Sequence, residues 1–353
     1  MTPDRPTLPD LARFDSIIDV RSPAEFAEDH IPGAINCPVL DNQQRIEVGT
    51  LHKQVSPFAA RKVGAAMVSE NIARHLQSSV FDRPKDWKPL IYCWRGGNRS
   101  GAMTTVLRGI GWKATQLEGG YKTWRNHVIS RLEQLPPDLT FRVICGATGS
   151  GKTRILQAIA ELGEQVLDLE TLASHKGSVL GVLPGLPQPT QKCFETLLLQ
   201  ALLDFNPARP VYVEAESRKI GRLQLPETLL ANIRQGERLN IEASLAARID
   251  FLLADYDYFL RMPDLLLQRL DRLKGMHSRE TLARWAEQVR TADWTSLVRE
   301  LLTQHYDALY QRSQGLHFLG QRHPAAFGTD DLSPRGIADL ARRIVHSRTA
   351  QIA

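Results

Sequence analysis

The sequence lacks the marks of several protein classes. Its four cysteines are widely spaced, with no Cys-x-x-Cys pair, and no two histidines stand at the spacing of zinc ligands. Neither a disulfide framework nor a zinc site is therefore predicted. No apolar run approaches the roughly 20 residues that cross a bilayer, and the first residues show no signal-peptide pattern. We expect a cytoplasmic protein with no membrane contact.

A large excess of charge of one sign is also missing. The 353 residues carry 44 Lys and Arg against 39 Asp and Glu, a net charge of +5 that allows nucleic-acid binding without indicating it. Hydrophobic residues at 42% and charged residues at 24% exclude a disordered or fibrous chain. The length favours two domains over a single core.

The loop 92–100 is the most informative segment of the N-terminal half. It follows a short apolar run that predicts a buried strand, and it precedes a helical pattern, so it brings Cys93 to a helix N-terminus. Backbone N–H groups there bind anions and favour a thiolate. The loop also contains two arginines and two glycines, which a buried structural cysteine, the alternative, would not need. We predict a catalytic cradle formed by Cys93, Arg95 and Arg99.

Alternating short strands and helices surround this loop and predict a parallel sheet covered on both faces. Four segments, 19–21, 30–34, 92–100 and 117–124, resemble the landmarks of a rhodanese domain and stand in the right order. The resemblance implies a rhodanese-like domain over residues 12–128. In that family the loop cysteine carries sulfur or selenium, a role that would fall on Cys93.

The cysteine loop is one residue longer than in a common rhodanese. Arg99 lies six positions after Cys93 rather than five, and this wider loop resembles that of rhodanese-like phosphatases. A phosphatase needs a general acid for the leaving oxygen, and the loop supplies none. A wide cradle also suits a donor that is itself a phosphate, such as selenophosphate.

The second half begins after two adjacent prolines, which predict a linker over residues 129–139 and a second domain over 140–353. An apolar strand then runs into Gly-Ala-Thr-Gly-Ser-Gly-Lys-Thr and a helix, the context that identifies a phosphate-binding P-loop. Its backbone N–H groups cradle a diphosphate, its lysine reaches the outer phosphate, and its last threonine can hold Mg²⁺. The predicted ligand-binding residues are Gly146, Thr148, Gly149, Ser150, Gly151, Lys152 and Thr153.

The strand predicted at 210–217 ends in carboxylates, where P-loop proteins bring an acidic residue to the metal. The usual aspartate is absent, so Glu214 and Glu216 are candidates and ATP hydrolysis is in doubt. Arg218 opens a basic turn that either approaches the ligand or faces solvent. We also expect a strand at 167–170.

The chain after residue 226 is predicted to be largely helical, with helices at 242–253, 263–274, 279–291, 296–314 and 333–347. Six basic residues lie on two of these helices, and they form either a solvated face or a track for an RNA backbone. They are Arg269, Arg272, Lys274, Arg279, Arg284 and Arg290.

A sulfur-carrier domain followed by a P-loop domain is similar to the bacterial tRNA 2-selenouridine synthase family. The resemblance implies a transferase that acts on wobble 2-thiouridine in tRNA. It S-geranylates the base with geranyl diphosphate and then inserts selenium from selenophosphate, which a partner enzyme supplies. No tightly bound cofactor or resident metal is expected, although Mg²⁺ is compatible with the P-loop. The implied fold is a rhodanese-like α/β domain followed by a P-loop NTPase-like α/β domain with a helical C-terminal extension.

Two other functions fit the same two motifs. One is a P-loop ATPase or kinase with a rhodanese sulfur-carrier module, which would turn over ATP without tRNA. The other is a non-catalytic module that delivers sulfur to a partner, which would form a stable complex and no modified nucleoside.

Overall fold

The computed structural model describes residues 7–95, 97–317 and 325–347. The chain forms two compact units, Met1–Arg131 and Leu132–Ala353, called here the N-terminal and C-terminal units. The division falls inside the segment predicted as a linker. Within the described residues, no helix is long and apolar enough to span a membrane.

The N-terminal unit is a four-stranded parallel sheet in the order β2-β1-β3-β4 with five α-helices. A 3₁₀ helix, Leu8–Arg13, precedes the first strand. The strands are β1 (Ser16–Asp19), β2 (Ala34–Asn36), β3 (Pro89–Tyr92) and β4 (Thr115–Gln116). The helices are α1 (Pro23–Glu28), α2 (Asn42–Gln54), α3 (Pro57–Leu76), α4 (Asn98–Ile110) and α5 (Tyr121–Gln134).

Local sequence explains most of these boundaries. Strand β3 is buried at every position, as its apolar run predicts. The hydroxyl of Ser22 caps α1 before its first-turn proline. Helix α4 ends at Ile110, and the Gly111 cap that follows has a left-handed φ of 113° that glycine adopts without strain. Helix α5 runs on to Gln134, so the first half of the predicted linker is helical.

The C-terminal unit contains a five-stranded parallel sheet in the order β11-β10-β5-β7-β6 and a separate antiparallel hairpin, β8-β9. The strands are β5 (Phe141–Gly146), β6 (Gln165–Leu167), β7 (Val211–Glu214), β8 (Lys219–Ile220), β9 (Leu223–Gln224), β10 (Glu237–Ala243) and β11 (Ala325–Thr329). The central position of β5 places the P-loop at the middle of one sheet edge.

Helices cover this sheet and extend beyond it. They are α6 (Lys152–Glu161), α7 (Leu169–Ala173), α8 (Gln191–Leu203), α9 (Glu227–Gln235), α10 (Leu245–Asp255), α11 (Asp257–Arg261), α12 (Pro263–Leu270), α13 (Arg279–Arg290), α14 (Trp294–Leu301), α15 (Asp307–His317) and α16 (Pro334–Ser347). Short 3₁₀ helices span Pro136–Asp138 and Asp271–Leu273, and a π-helical turn, Leu302–Tyr306, joins α14 to α15.

Among the described residues, two hydrophobic cores stabilise the C-terminal unit. One lies at the sheet, where Ile144 of β5 and Ile155 of α6 pack with residues of α16. The other lies among α12, α13 and α14, around the fully buried Trp285, and it includes Leu180 from the loop after α7. The helical extension therefore has its own core, which also anchors that loop.

The structure of this unit differs from the sequence predictions at several points. The strand expected at 167–170 ends at Leu167, because the carboxylate of Asp168 caps α7. Residues 242 and 243 complete β10, and the next helix begins only after the Ser244 cap. Strands β10 and β11 were not predicted, because charged residues occupy three of the seven positions of β10 and small residues dominate β11.

Candidate functional site

Cys93 lies directly after β3, and its side chain is buried. The hydroxyl of Ser100, in the first turn of α4, donates a hydrogen bond to Cys93 Sγ at 3.1 Å. The amide of Gln116 donates to Ser100 Oγ at 2.7 Å and to the carbonyl of Gly97 at 3.0 Å. This relay orients the Ser100 O–H toward sulfur, where a donor stabilises negative charge.

The segment 117–124 holds the cysteine loop in place through backbone hydrogen bonds. The backbone N–H of Tyr121 donates to the carbonyl of Cys93 at 2.8 Å, and that of Lys122 donates to the carbonyl of Trp94 at 2.9 Å. The Tyr121 hydroxyl donates to Asp29 at 2.7 Å. These bonds fix the loop from a part of the chain distant in sequence.

The segment 19–21 has a structural role in the N-terminal unit. Arg21 and Asp19 form an ion pair of 2.6 Å in which both side chains are buried. The guanidinium of Arg21 lies 3.9 Å from the centre of the Tyr121 ring, so it holds the same tyrosine that supports the cysteine loop. This rhodanese landmark therefore acts on Cys93 through packing.

The two predicted loop arginines have different environments. Arg95 is exposed, whereas Arg99 is mostly buried and forms an ion pair of 2.6 Å with Glu25 of α1. Burial raises the pKa of Glu25, but Arg99 outweighs it and lowers that pKa to about 2. The neighbouring loop residue Gly96 lies outside the described residues. Arg99 is therefore already neutralised by a residue that the motif did not reveal.

The P-loop of the C-terminal unit has the conformation that its glycines predict. Gly149 and Gly151 have φ angles of 82° and 75°. A Cβ at Gly149 would also approach Leu252 to 2.9 Å, so this position needs glycine for conformation and for space. Arg248 of α10 donates to the carbonyl of Thr148 at 2.8 Å. A charged side chain from outside the motif thus binds the backbone of the loop.

The end of the P-loop meets a group of carboxylates. The hydroxyl of Thr153 lies 2.8 Å from Glu170 Oε2 and 3.1 Å from Glu214 Oε2. Carboxylate oxygens of Glu170, Glu214 and Glu216 all lie within 4.8 Å of one another. Lys152 turns back and donates to the carbonyl of Gly146 at 3.1 Å. The predicted Glu214 and Glu216 are brought together with the P-loop, and Glu170 joins them.

Burial and mutual repulsion perturb these three carboxyl groups. Burial, followed by the charge of Glu170, raises the pKa of Glu214 well above its ordinary value. The same causes raise the pKa of Glu216 to about 7, and burial raises the pKa of Glu170. The group would bind a divalent cation through hard oxygen ligands, with Thr153 as a further donor.

A cavity of about 530 Å³ opens at this point. Of the predicted ligand-binding residues, Gly146, Thr148, Gly149, Gly151, Lys152, Thr153, Glu214 and Glu216 line it. Ser150 is buried within the loop. Arg218 is exposed, lies 3.6 Å from Glu227, and does not line this cavity in the described part of the chain.

A smaller apolar pocket of about 70 Å³ adjoins the cavity. The two share Thr148 of the P-loop as well as Ser178, Leu252, Tyr256 and Tyr306. The pocket extends between α10, α11, α12 and α14, and Leu180 contributes to its wall. A ligand with an anionic head in the P-loop can therefore place an apolar tail in this pocket.

Comparisons with known proteins find a different family model in each of the two units. A family model described as a tRNA 2-selenouridine synthase AAA domain matches residues 139–318. A rhodanese-like domain model matches residues 7–127.

Three curated relatives, each named tRNA 2-selenouridine synthase, show the extent of the similarity. The Nitrosomonas europaea protein is 38% identical over 68% of this chain and 63% of its own length. The Alcanivorax borkumensis protein is 33% identical over 87% of this chain and 92% of its own length. The Marinobacter nauticus protein is 32% identical over 83% of this chain and 87% of its own. The aligned part thus spans less than two thirds of the first relative and most of the other two.

Proposed function

Because this chain belongs to the tRNA 2-selenouridine synthase family, we propose that it converts wobble 2-thiouridine in tRNA to 2-selenouridine through an S-geranylated intermediate. The observation that carries the proposal is the apolar pocket that shares Thr148 with the P-loop cavity. A nucleotide needs room for a base and ribose beside its phosphates. A prenyl diphosphate needs an anion site next to an apolar pocket, and these two cavities supply both.

The first proposed reaction is S-geranylation in the C-terminal unit. The P-loop amides and Lys152 bind the diphosphate of geranyl diphosphate. The thiocarbonyl sulfur of the base attacks the first geranyl carbon, the carbon–oxygen bond breaks, and diphosphate leaves with the negative charge. The base loses its N3 proton as its S-alkyl form is produced. Lys152 and the loop amides stabilise the charge that develops on the leaving diphosphate.

Leu180 lines the apolar pocket, and Val179 and Leu183 line the P-loop cavity. All three lie in the loop between α7 and α8. The pocket holds one end of a geranyl chain, and the two cavity residues contact the remainder beside the diphosphate. The loop therefore contributes to binding of the prenyl group in this proposal.

The carboxylate group fits a Mg²⁺ ion that accompanies the diphosphate. Glu170, Glu214, Glu216 and Thr153 would hold it, since their oxygens are close together. Burial, followed by the charge of Glu170, raises the pKa of Glu214 and Glu216, and a cation between the carboxylates would offset both effects. The ion would supply positive charge for the diphosphate. The protein's own contribution is to hold these oxygens beside the P-loop.

The second proposed reaction is selenium insertion through Cys93 in the N-terminal unit. Selenophosphate binds at the loop amides near Arg95 and Arg99, and the Cys93 thiolate attacks its phosphorus. The phosphorus–selenium bond breaks, selenide leaves, and water then releases phosphate from Cys93 Sγ. Selenium then replaces the geranylthio group of the base, a better leaving group than an unmodified thiocarbonyl. A separate enzyme supplies the selenophosphate, and a tRNA substrate places the reaction in the cytoplasm.

Nucleoside mass spectrometry tests the proposal directly. Purified protein is incubated with tRNA containing 2-thiouridine, geranyl diphosphate and selenophosphate, with no nucleoside triphosphate present. We expect 2-selenouridine. The absence of any modified nucleoside, together with rapid ATP turnover that needs no tRNA and is lost in Lys152→Ala, would favour the ATPase or kinase function instead.

A further inference from the structure

The basic residues of α12, α13 and the turn between them differ in whether they have a partner. Lys274 lies 2.9 Å from Asp271, Arg284 lies 2.9 Å from Glu300, and Arg290 lies 3.3 Å from Glu287. These ion pairs neutralise half of the six basic side chains noted in the sequence. Neither Arg269 nor Arg272 has an acidic partner among the residues that the structure describes.

Arg269 and Arg272 also lie close to each other. They are three positions apart, at the end of α12 and in the 3₁₀ helix that follows it, so they lie on one face. Burial and the charge of Arg272 lower the pKa of Arg269. The Nε atom of Arg269 is buried and has no hydrogen-bond acceptor. A buried guanidinium donor next to a second positive charge is costly unless an anion binds there.

The two arginines are fixed near the P-loop cavity. Leu270 and Leu273 anchor their segment in the helical core. The cavity-lining residues Val179, Tyr256 and Tyr306 pack against the same core. His175, a few residues before Leu180, lines the cavity. Burial, followed by the charges of Arg269 and Arg272, lowers the pKa of His175.

We propose that Arg269 and Arg272 form a phosphate-binding site that holds a backbone phosphate of the RNA substrate beside the P-loop cavity. The inference rests on the proposed function, which supplies the RNA. Two guanidinium groups can form several charge-assisted hydrogen bonds to one phosphate. The diphosphate of the prenyl donor already has the P-loop amides and Lys152. A second phosphate site at the cavity wall therefore suits the RNA backbone, which must approach as the base enters.

The test measures RNA affinity against salt concentration. A fluorescent anticodon stem–loop containing 2-thiouridine is titrated with wild-type protein, Arg272→Gln, Arg269→Gln/Arg272→Gln and Arg290→Gln. Arg290→Gln is the matched control, because it removes the same charge from a side chain that is already paired at the surface. Arg272 is exposed, so its substitution leaves the fold intact.

We expect the double variant to bind RNA roughly tenfold more weakly at about 100 mM salt, and its log–log salt slope to fall by about 0.7 to 0.9, the value for one phosphate. Arg272→Gln should lose part of this affinity, and Arg290→Gln should bind like the wild type. Unchanged RNA binding in the double variant, or an equal loss in Arg290→Gln, would overturn the site.

Calorimetry with pyrophosphate separates the two sources of phosphate. Pyrophosphate affinity should be the same in the double variant and the wild type. A loss of pyrophosphate binding with intact RNA binding would assign the arginines to the donor and overturn the proposal. Product formation by the wild type is scored separately. If RNA binding depends on the two arginines but no selenouridine forms, the proposed function fails and the phosphate site stands.

Discussion

Arg99 and Glu25 join the cysteine loop to α1 through two hydrogen bonds, with Nη1 2.6 Å from Oε2 and Nη2 3.2 Å from Oε1. The pair positions the loop arginine and neutralises it. An anionic donor at Cys93 therefore meets a guanidinium that is already oriented. The positive charge of that guanidinium is partly offset by the Glu25 carboxylate. Glu25 is thus a positioning residue for the cysteine loop.

Glu25→Gln should destabilise the N-terminal unit by roughly 1–3 kcal/mol at pH 7, because it leaves the mostly buried Arg99 without its counter-charge. The pKa of Glu25 is lowered from 4.5 to about 2, so this stabilisation is present above pH 4.5 and is lost as pH falls toward 2. The wild type and the variant should therefore converge in acid. Hydrogen exchange of the β1 and β3 amides at pH 7 and pH 3 measures the difference.

Glu70→Gln is the control for that experiment. Glu70 pairs with Arg74 on the exposed surface of α3, where an ion pair contributes little. If Glu70→Gln lost as much stability as Glu25→Gln, burial of the ion pair would not explain the effect, and our account would be contradicted.

Glu216→Gln should stabilise the C-terminal unit at pH 8 in the absence of Mg²⁺. The pKa of Glu216 is raised from 4.5 to about 7, so its protonated form favours the folded state. That contribution is complete below pH 4.5 and is lost as pH rises through 7. Glutamine imitates the protonated form and keeps the contribution at pH 8. In calorimetric melting, Glu216→Gln should have the same melting temperature as the wild type at pH 4 and a higher one at pH 8.

Added Mg²⁺ should raise the melting temperature of the wild type at pH 8 more than that of Glu216→Gln, because the variant loses one of the proposed ligands. A variant that melts below the wild type at pH 8 without Mg²⁺ would contradict the repulsion inferred for the carboxylates.

Val298→Trp should weaken geranyl diphosphate binding about tenfold or more, because the indole would fill the apolar pocket that Val298 lines. Inhibition by pyrophosphate should be unchanged, since the P-loop is untouched. Leu203→Trp is the control, because Leu203 is exposed at the end of α8 and lines neither cavity among the described residues. If Val298→Trp weakened inhibition by pyrophosphate as much as binding of geranyl diphosphate, the substitution would act through the P-loop. That result would contradict the assignment of the pocket to the prenyl chain.

Local motifs made much of the fold predictable from sequence. The Cys93 loop and the P-loop were recognised because the flanking strand, the glycines and the following helix are adjacent in the chain. The family comparisons confirm the rhodanese-like and P-loop domains. Helix α2 was missed because it buries no residue and so has no apolar stripe to detect.

Residues that depend on tertiary contacts were not predictable in the same way. Glu25 reaches Arg99 across 74 positions of sequence, and Gln116 reaches Ser100 across 16. Glu170 meets Thr153 only because β6 pairs with β7, which pairs with β5, and that strand order is not written in any local pattern. Its one signal was the carboxylate pair at 168 and 170, which was interpreted as part of a strand.

The central claim is that the two units perform successive reactions on one nucleobase, and single variants of each unit test it most directly. tRNA nucleosides are analysed by mass spectrometry after incubation with both donors. Cys93→Ser should make no 2-selenouridine and should accumulate S-geranyl-2-thiouridine. Lys152→Ala should reduce geranylation by roughly 100-fold or more, because the leaving diphosphate loses its main cation. Formation of 2-selenouridine by Cys93→Ser, or unimpaired geranylation by Lys152→Ala, would contradict the account.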